Sequence, residues 1–190
     1  MNRNRVAALC AVVSFVVLGI TSFTPSAYAE KTVEVGGAPM YPSKNIVQNA
    51  VNSKDHTTLV AAVKAAGLVD TLMSPGPFTV FAPVNKAFEK LPKGTVETLL
   101  KPENKGTLTA VLTYHVVAGK LSAEDLKAKV QAGGGNAMLT TVQGDMLTVM
   151  QEGRRLQIID AKGDKSFITI ADVNQSNGVI HVVDTVLLPK

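Results

Sequence analysis

The sequence predicts a single domain of the α+β class, in which helices come first along the chain and an antiparallel sheet follows. From about Asn45 to Lys129, apolar residues recur mainly every three or four positions, which is typical of helices. Beyond the glycines 133–135 they recur at every second position, in runs that turn residues separate. Because helices and strands do not alternate, a doubly wound parallel sheet is not expected.

The composition excludes several classes of protein. The chain has 190 residues, of which 46% are hydrophobic and 18% are charged, as expected of one folded domain with a sizeable core. The formal net charge is only +4, so electrostatic binding of nucleic acid is not expected. There is no Trp, and aromatic residues make up 5% of the chain, so platforms for stacking bases or sugars are scarce.

The first 29 residues resemble a signal peptide. Residues 1–5 are basic, residues 6–20 form an apolar run, and Ala27-Tyr28-Ala29 matches the small-x-small pattern of a cleavage site. Cleavage is therefore predicted after Ala29, which makes the mature protein secreted or periplasmic without stable membrane insertion. Cys10, the single cysteine, lies inside the apolar run, so the mature chain offers no disulfide, thiolate nucleophile or Cys-ligated zinc.

Residues 30–44 are predicted to form a flexible N-terminal arm, and the domain is expected to span residues 45–190. The arm contains Gly36, Gly37, Pro39 and Pro42 and shows little periodicity.

Capping signals place the predicted helices. Asp55 is expected to cap a helix that ends at Gly67. A helix over residues 102–114 places His115 at or just beyond its end, and Ser122, with an acid three positions later, is expected to cap a further helix.

Strand signals occur once in the middle of the chain and repeatedly in its last third. The apolar run at residues 78–81 predicts a buried strand that ends at Pro83, with a helix over residues 85–91 after it. Later strands are predicted at residues 138–142, 146–150, 156–159, 167–173 and 179–188. The last is apolar on both alternating faces, except at His181, Asp184 and Thr185, so it is expected to run through the interior.

Three segments together carry a resemblance to a known family. They are residues 78–88 (FTVFAPVNKAF), 114–117 (YHVV) and 177–184 (NGVIHVVD), and residues 55–59 and 65–68 extend the match. Their order and spacing resemble the fasciclin (FAS1) domain over roughly residues 45–189, as in bacterial secreted proteins with one such domain. The resemblance implies a β-sandwich wedge with helices packed along one side, which works in adhesion or interaction without catalysis.

The resemblance also implies a set of structural motif residues, namely Phe81, Pro83, Asn85, Phe88, Gly178, His181 and Asp184. The sequence departs from the family at Val84, where Thr is usual and helps to start a helix. We therefore expect the cap to pass to Asn85, with some local loss of stability. Asp184, on an otherwise apolar strand, is expected to accept hydrogen bonds or to face a wet edge.

Tyr114 and His115 form the candidate adhesion segment, because the equivalent Tyr-His segment of animal fasciclin domains has been linked to cell adhesion. The alternative, which the apolar surroundings favour, is that Tyr114 is packed inside with one internal hydrogen bond. His115 and His181 also invite a metal or acid–base interpretation. No second ligand accompanies either residue, so hydrogen-bonded structural histidines are expected, with no metal or other cofactor.

The sequence thus predicts an exported, non-enzymatic module that binds a cell-surface or matrix protein or a cell-envelope polymer. The glycines 133–135 lack the Lys-Ser/Thr pair of a phosphate loop, and no hydrolase elbow or dinucleotide fingerprint occurs. The main alternative is an envelope protein that binds a small ligand or a polysaccharide in a cleft between helices and sheet. An enzyme assembled only in three dimensions is a more distant alternative.

Overall fold

A computed structural model describes residues 32–190. The predicted signal peptide and the first residues of the predicted arm lie outside this range. The helices are α1 (Ile46–Ala50), α2 (Thr57–Ala66), α3 (Val69–Met73), α4 (Asn85–Glu89), α5 (Thr95–Leu99), α6 (Lys105–Tyr114) and α7 (Ala123–Ala132). The strands are β1 (Val33–Val35), β2 (Ala38–Met40), β3 (Phe78–Pro83), β4 (Val116–Ala118), β5 (Asn136–Thr140), β6 (Met146–Glu152), β7 (Arg155–Ile159), β8 (Lys165–Gln175) and β9 (Gly178–Val183).

Seven strands form one sheet, in the order β4-β3-β9-β8-β7-β6-β5, and β1 pairs with β2 alone. The α+β class is confirmed. The sheet is mixed rather than purely antiparallel, because β3 and β9 run parallel while the other neighbours run antiparallel. A parallel pair needs a long connection, and nearly one hundred residues separate these strands. Hairpin signals between consecutive strands therefore did not reveal it.

Strand β9 lies between β3 and β8, and all six of its residues are buried, as the sequence predicts. It ends at Val183 instead of Leu188. The amide of Asp184 still donates to the carbonyl oxygen of Phe167, but further along the amide of Leu187 donates to the side chain of His115 and that of Leu188 to the side chain of Asp160. The C-terminal segment is thus held in place without belonging to the sheet.

Two large cores lie on opposite faces of β3 and β9, because alternate residues of a strand point to opposite faces. The helix-side core contains Val80, Ala82, Ile180 and Val182 from these strands, together with apolar residues of β1, β2, α1, α2, α3 and α6. The strand-side core contains Phe81 and Val183, with apolar residues of β5, β6, β7 and α7. Most helices therefore pack along one side, as the resemblance implies, whereas α7 packs against the other.

The stretch predicted as a flexible arm is instead a small hairpin within the described residues. Gly36 and Gly37 turn the chain with φ values of 60° and 73°, and β1 and β2 pair across this turn. Val35 and Met40 are each only 3% exposed and belong to the helix-side core. The glycines and prolines hid this alternation of apolar residues, which is what anchors the hairpin.

The helix caps agree only in part with the prediction. Gly67 ends α2 in the left-handed conformation, with a φ of 74°, and Ser122 begins α7 with a reciprocal capping box to Asp125, as predicted. Asp55 does not cap α2, because residues 54–56 form a short 3-10 turn before it. The amide of Thr58 instead donates to Asn85, whose side chain reaches α2 from the start of α4.

Candidate functional site

Tyr114 is the last residue of α6, and its side chain is fully buried in the strand-side core. The hydroxyl donates a hydrogen bond of 2.9 Å to the carbonyl oxygen of Met146 and accepts one of 2.9 Å from the amide of Ala161. It therefore ties α6 to β6 and to the loop after β7. A side chain in this position has no surface with which to contact a partner.

His115 follows α6 and is 2% exposed. Its Nδ1 lies 2.8 Å from the carbonyl oxygen of Val111, and its Nε2 accepts a 3.0 Å hydrogen bond from the amide of Leu187. These partners assign the proton to Nδ1 in the neutral ring. Burial lowers the pKa of His115 from 6.5 to about 4. Both nitrogens are occupied, so this ring holds the C-terminal segment against α6.

His181 lies in β9, beside Phe81 of β3, and is also fully buried. Its Nε2 lies 2.8 Å from the carbonyl oxygen of Leu121, and Nδ1 accepts a hydrogen bond from the amide of Asp172. Burial lowers its pKa, so the ring is neutral near pH 7. Asp172 adopts a left-handed φ of 58°, and its carboxylate accepts a hydrogen bond from the amide of Ala123 at the start of α7. His181 thus joins β8, β9 and the loop that leads to α7.

Asn85 connects two helices. Its Oδ1 accepts a hydrogen bond from the amide of Thr58, and its Nδ2 donates one to the carbonyl oxygen of Lys54. Helix α4 itself begins at Asn85, and Val84 occupies its N-cap position without a side-chain hydrogen bond, so the cap does not pass to Asn85 as expected. The side chain satisfies backbone groups at the start of α2 instead, which only the tertiary fold could reveal.

The remaining motif residues hold the central strands and their ends. Pro83 ends β3, and Phe88 packs partly buried against the helix-side core. Gly178 faces Phe78 across the parallel pair, where an added Cβ would overlap the carbonyl oxygen of Phe78. This close approach requires glycine.

Asp184 is half-buried and accepts a hydrogen bond from the amide of Phe167, in line with the sequence prediction. Its carboxylate also lies 3.7 Å from the ammonium of Lys90. Partial burial raises the pKa of Asp184, but hydrogen bonds from Phe167 and Thr185 and the charge of Lys90 outweigh this effect, so its pKa lies below the usual value. Asp184 is therefore ionised at neutral pH.

His56, for which the sequence suggested no role, is a third buried histidine. It is 3% exposed, and its Nδ1 lies 2.9 Å from the hydroxyl of Ser53. Its Nε2 has no hydrogen-bond partner. Burial lowers the pKa of His56, and the backbone of Ala82 and the charge of Asp55 offset this only in part. The sequence signals were its place within residues 55–59, which extend the family match, and the three-residue spacing from Ser53 to His56 across a turn.

A cavity of about 80 Å³ lies within the helix-side core, between α2, α6 and the sheet. His56 and His115 contribute to its lining, and the rest is almost entirely apolar. Representative apolar residues are Leu59, Val63, Leu72, Val80, Leu112 and Ile180. We call this space the helix-side cavity.

A second concavity, which we call the basic groove, lies outside the strand-side core and has a volume of about 420 Å³. Lys127 of α7, Arg154 and Arg155 line it together with Phe167 and Asp184. The guanidinium of Arg155 lies 6.0 Å from the centre of the Phe167 ring. Among the described residues the ion pair between Lys90 and Asp184 is the only one, so none of the three cations of the groove forms an ion pair, although the carboxylate of Asp184 also lines the groove.

Two negative findings apply to residues 32–190. No cluster of three or more His, Cys, Asp or Glu side chains could hold a metal ion. Nor does this part of the chain contain a helix long and apolar enough to cross a membrane.

Comparison with known proteins shows the family. The chain belongs to the fasciclin domain family, whose family model matches residues 54–189. Protein sll1483 of Synechocystis sp. is 46% identical over 160 residues, which cover 84% of this chain and 82% of that protein. Cell surface glycolipoprotein MPB83 of Mycobacterium bovis is 35% identical over 145 residues, which cover 74% of this chain and 58% of that protein.

A solved structure has the same fold. A FAS1 domain pair from the insect cell adhesion molecule fasciclin I superposes with a TM-score of 0.69 at 21% sequence identity, over 84% of this chain and 58% of that chain. The resemblance that the three motif segments carry is therefore confirmed, both as a family and as a fold.

Proposed function

We propose that this chain is an exported, non-enzymatic interaction module whose basic groove binds an acidic surface of a cell-surface or matrix protein. The observation that supports this most directly is the cluster of Lys127, Arg154 and Arg155 around one concave surface, where none of the three forms an ion pair and the one carboxylate, Asp184, is paired with Lys90. Unpaired cations on one surface attract acidic partners and orient their approach.

The lining of the groove favours a protein as the partner. Its one aromatic residue, Phe167, is half-buried, with the guanidinium of Arg155 at 6.0 Å from the ring centre, and the exposed large apolar residues of the described chain include no aromatic ring. Sugar rings are usually bound on exposed aromatic faces, so a polysaccharide fits this surface less well. Planar guanidinium groups, in contrast, pair with carboxylates in a bidentate geometry, which suits Asp- or Glu-rich protein segments.

Export and adhesion are supported by the relatives and by the leader. One relative is named as a cell surface glycolipoprotein, and the structural neighbour comes from a cell adhesion molecule. The basic start, apolar run and Ala27-Tyr28-Ala29 of this chain support removal of residues 1–29. On this proposal residues 45–190 form the working domain, and Tyr114 and His115 act from inside as its scaffold.

Charge reversal in the groove tests the proposal. The variant Arg154→Glu with Arg155→Glu is expected to lose most capture of surface proteins from intact cells of the source organism, measured by cross-linking and mass spectrometry. Capture by the wild-type protein should also weaken as salt is raised. A matched control, Lys101→Glu with Lys93→Glu, changes exposed lysines outside the groove lining and should retain capture. Equal capture by the two double variants would refute the role of the groove.

A further inference from the structure

The lining of the helix-side cavity offers almost no free polar group. Both nitrogens of His115 are already hydrogen-bonded, to Val111 and Leu187. The hydroxyl of Thr113, which also lines the cavity, donates to the carbonyl oxygen of Thr109 within its own helix. The cavity is therefore a place for an apolar group.

One atom departs from this pattern. Among the residues that the structure describes, Nε2 of His56 is the only buried side-chain nitrogen or oxygen that lacks a hydrogen-bond partner. Its ring lines the cavity, while Nδ1 is held by Ser53. A buried polar atom without a partner is costly, and such atoms are rare in folded proteins. The backbone of Ala82 is near enough to raise the pKa of His56, but it makes no hydrogen bond of normal geometry with Nε2, so this nitrogen is open to a partner from outside the protein chain.

Water is a poor candidate for that partner. An ordered internal water usually makes about two to four hydrogen bonds. Inside the cavity, Nε2 of His56 is the one buried side-chain group left without a partner among the described residues, because the polar groups of His115 and Thr113 are occupied, while Lys64 and Thr71 are exposed. A molecule that is apolar except for one polar group matches the lining better.

A hydroxyl is the group that suits His56 in either of its neutral forms. The Ser53 hydroxyl can donate to Nδ1 or accept from it, so Nε2 is correspondingly a donor or an acceptor. A ligand hydroxyl can accept or donate in turn, whereas a ketone only accepts and an ammonium group only donates, so each serves one of these forms. We propose that the helix-side cavity binds a compact apolar molecule that carries a single hydroxyl group, hydrogen-bonded to Nε2 of His56.

A ligand can reach this site from the surface. The side chains of Lys64, Thr71 and Val142 contribute to the lining and are exposed, with Val142 at 47%. The cavity is thus not sealed, and a ligand larger than about 80 Å³ can keep part of its apolar body at the opening. The site is separate from the basic groove, so it is independent of the proposed binding of a protein partner.

Two ring-sized probes that differ by one hydroxyl group test the proposal. Phenol and benzene are titrated into the full mature chain, and binding is followed by amide shifts of cavity-lining residues and by the ring nitrogen signals of His56. Phenol is expected to bind about tenfold more tightly than benzene, since one hydrogen bond to a buried group contributes roughly that much. Only phenol should move the Nε2 signal of His56.

Two variants separate recognition of the hydroxyl from filling of the cavity. Ser53→Ala with His56→Phe removes the polar pair and keeps a ring in place, so phenol and benzene should bind with nearly equal affinity. Val63→Phe fills the cavity and should abolish saturable binding of both probes. Equal affinities for the wild-type protein would overturn the role of His56. The absence of saturable shifts at the cavity with either probe would overturn the site itself.

Discussion

The two cores of this molecule differ in how completely they are filled and hydrogen-bonded. In the strand-side core, the largest side chains, including Tyr114, Phe81 and Leu147, have almost no exposure, and the hydroxyl of Tyr114 makes two hydrogen bonds. The helix-side core encloses a cavity and a histidine nitrogen without a partner. Close packing fixes a single structure, whereas a cavity leaves room for a ligand. One face of the central strands thus forms the scaffold, and the other contains the space in which we propose that a small molecule binds.

The largest expected effect comes from removing the strand that both cores share. Deletion of residues 178–190 takes Ile180 and Val182 from the helix-side core and Val183 and Leu187 from the strand-side core. It also removes the amide that satisfies His115. We expect the shortened chain to lack cooperative thermal unfolding by circular dichroism. A shortened chain that still melts cooperatively would show that β9 is peripheral.

The cores should respond differently to the same large-to-small substitution. Leu147→Ala in the strand-side core is expected to lower the free energy of unfolding by about 4 kcal/mol, because a rigid cavity is left in close packing. Leu112→Ala, beside the helix-side cavity, should cost about 2 kcal/mol, since this side chain already lacks contacts on one side. Urea unfolding at pH 7.5 measures both. Equal costs, or a larger cost at Leu112, would contradict the difference in packing.

Acid should destabilise the protein through its buried histidines. The pKa of His115 falls from 6.5 to about 4 on folding, so the unfolded chain binds the proton more readily. The contribution of the neutral His115 ring to the free energy of unfolding is fully present above pH 6.5. It is lost as the pH falls toward 4, which lowers the free energy of unfolding by about 3 kcal/mol. His56 and His181 shift in the same direction and add to the loss. Urea unfolding at several pH values between 7.5 and 4.5 measures this slope.

The matched variant for the pH series is His115→Asn. Its side chain does not titrate, so the decline of stability between pH 7.5 and 4.5 should be smaller than for the wild-type protein, whatever its stability at pH 7.5. Ionised Asp184 has a lowered pKa and would lose its stabilising contribution only at still lower pH, which keeps the two effects apart. An unchanged slope in the variant would show that folding does not lower the pKa of His115.

Features of the fold could be predicted from the sequence where they depend on residues close together in the chain. Gly67 and Ser122 end and begin their helices as predicted, because their caps use residues within a few positions. The prediction that Asp55 caps α2 was wrong, because Asn85 accepts the hydrogen bond from the amide of Thr58 and lies 27 residues further along the chain. The N-terminal hairpin was hidden by its glycines, although Val35 and Met40 are buried in the helix-side core.

The candidate sites show the same limit. That His115 and His181 are hydrogen-bonded inside the protein could be predicted from their apolar surroundings. The basic groove could not be predicted from the sequence, because the fold brings Lys127 of α7 next to the β6–β7 turn. Neither stretch is strongly charged by itself. The helix-side cavity depends on how side chains of several elements fit together, which no periodicity reports.

The smallest expected effects come from adding one methyl group to each core, which should change the free energy of unfolding in opposite directions. Val63→Ile extends into the helix-side cavity and is expected to raise the free energy of unfolding by roughly 0.5 kcal/mol. Val149→Ile adds the same group to the filled strand-side core and should lower it by about 1 kcal/mol. Differential scanning calorimetry resolves both shifts. Stabilisation by Val149→Ile would show that the strand-side core also has space.

Xenon binding tests the contrast between the two cores most directly, because xenon enters apolar cavities without needing a hydrogen bond. Under xenon pressure, methyl signals of Leu59, Val63 and Leu112 should shift and saturate, while those of Leu147, Val149 and Ile158 should remain in place. Saturable shifts at the second set, or none at the first, would contradict the assignment of scaffold and binding space to opposite faces of β3 and β9.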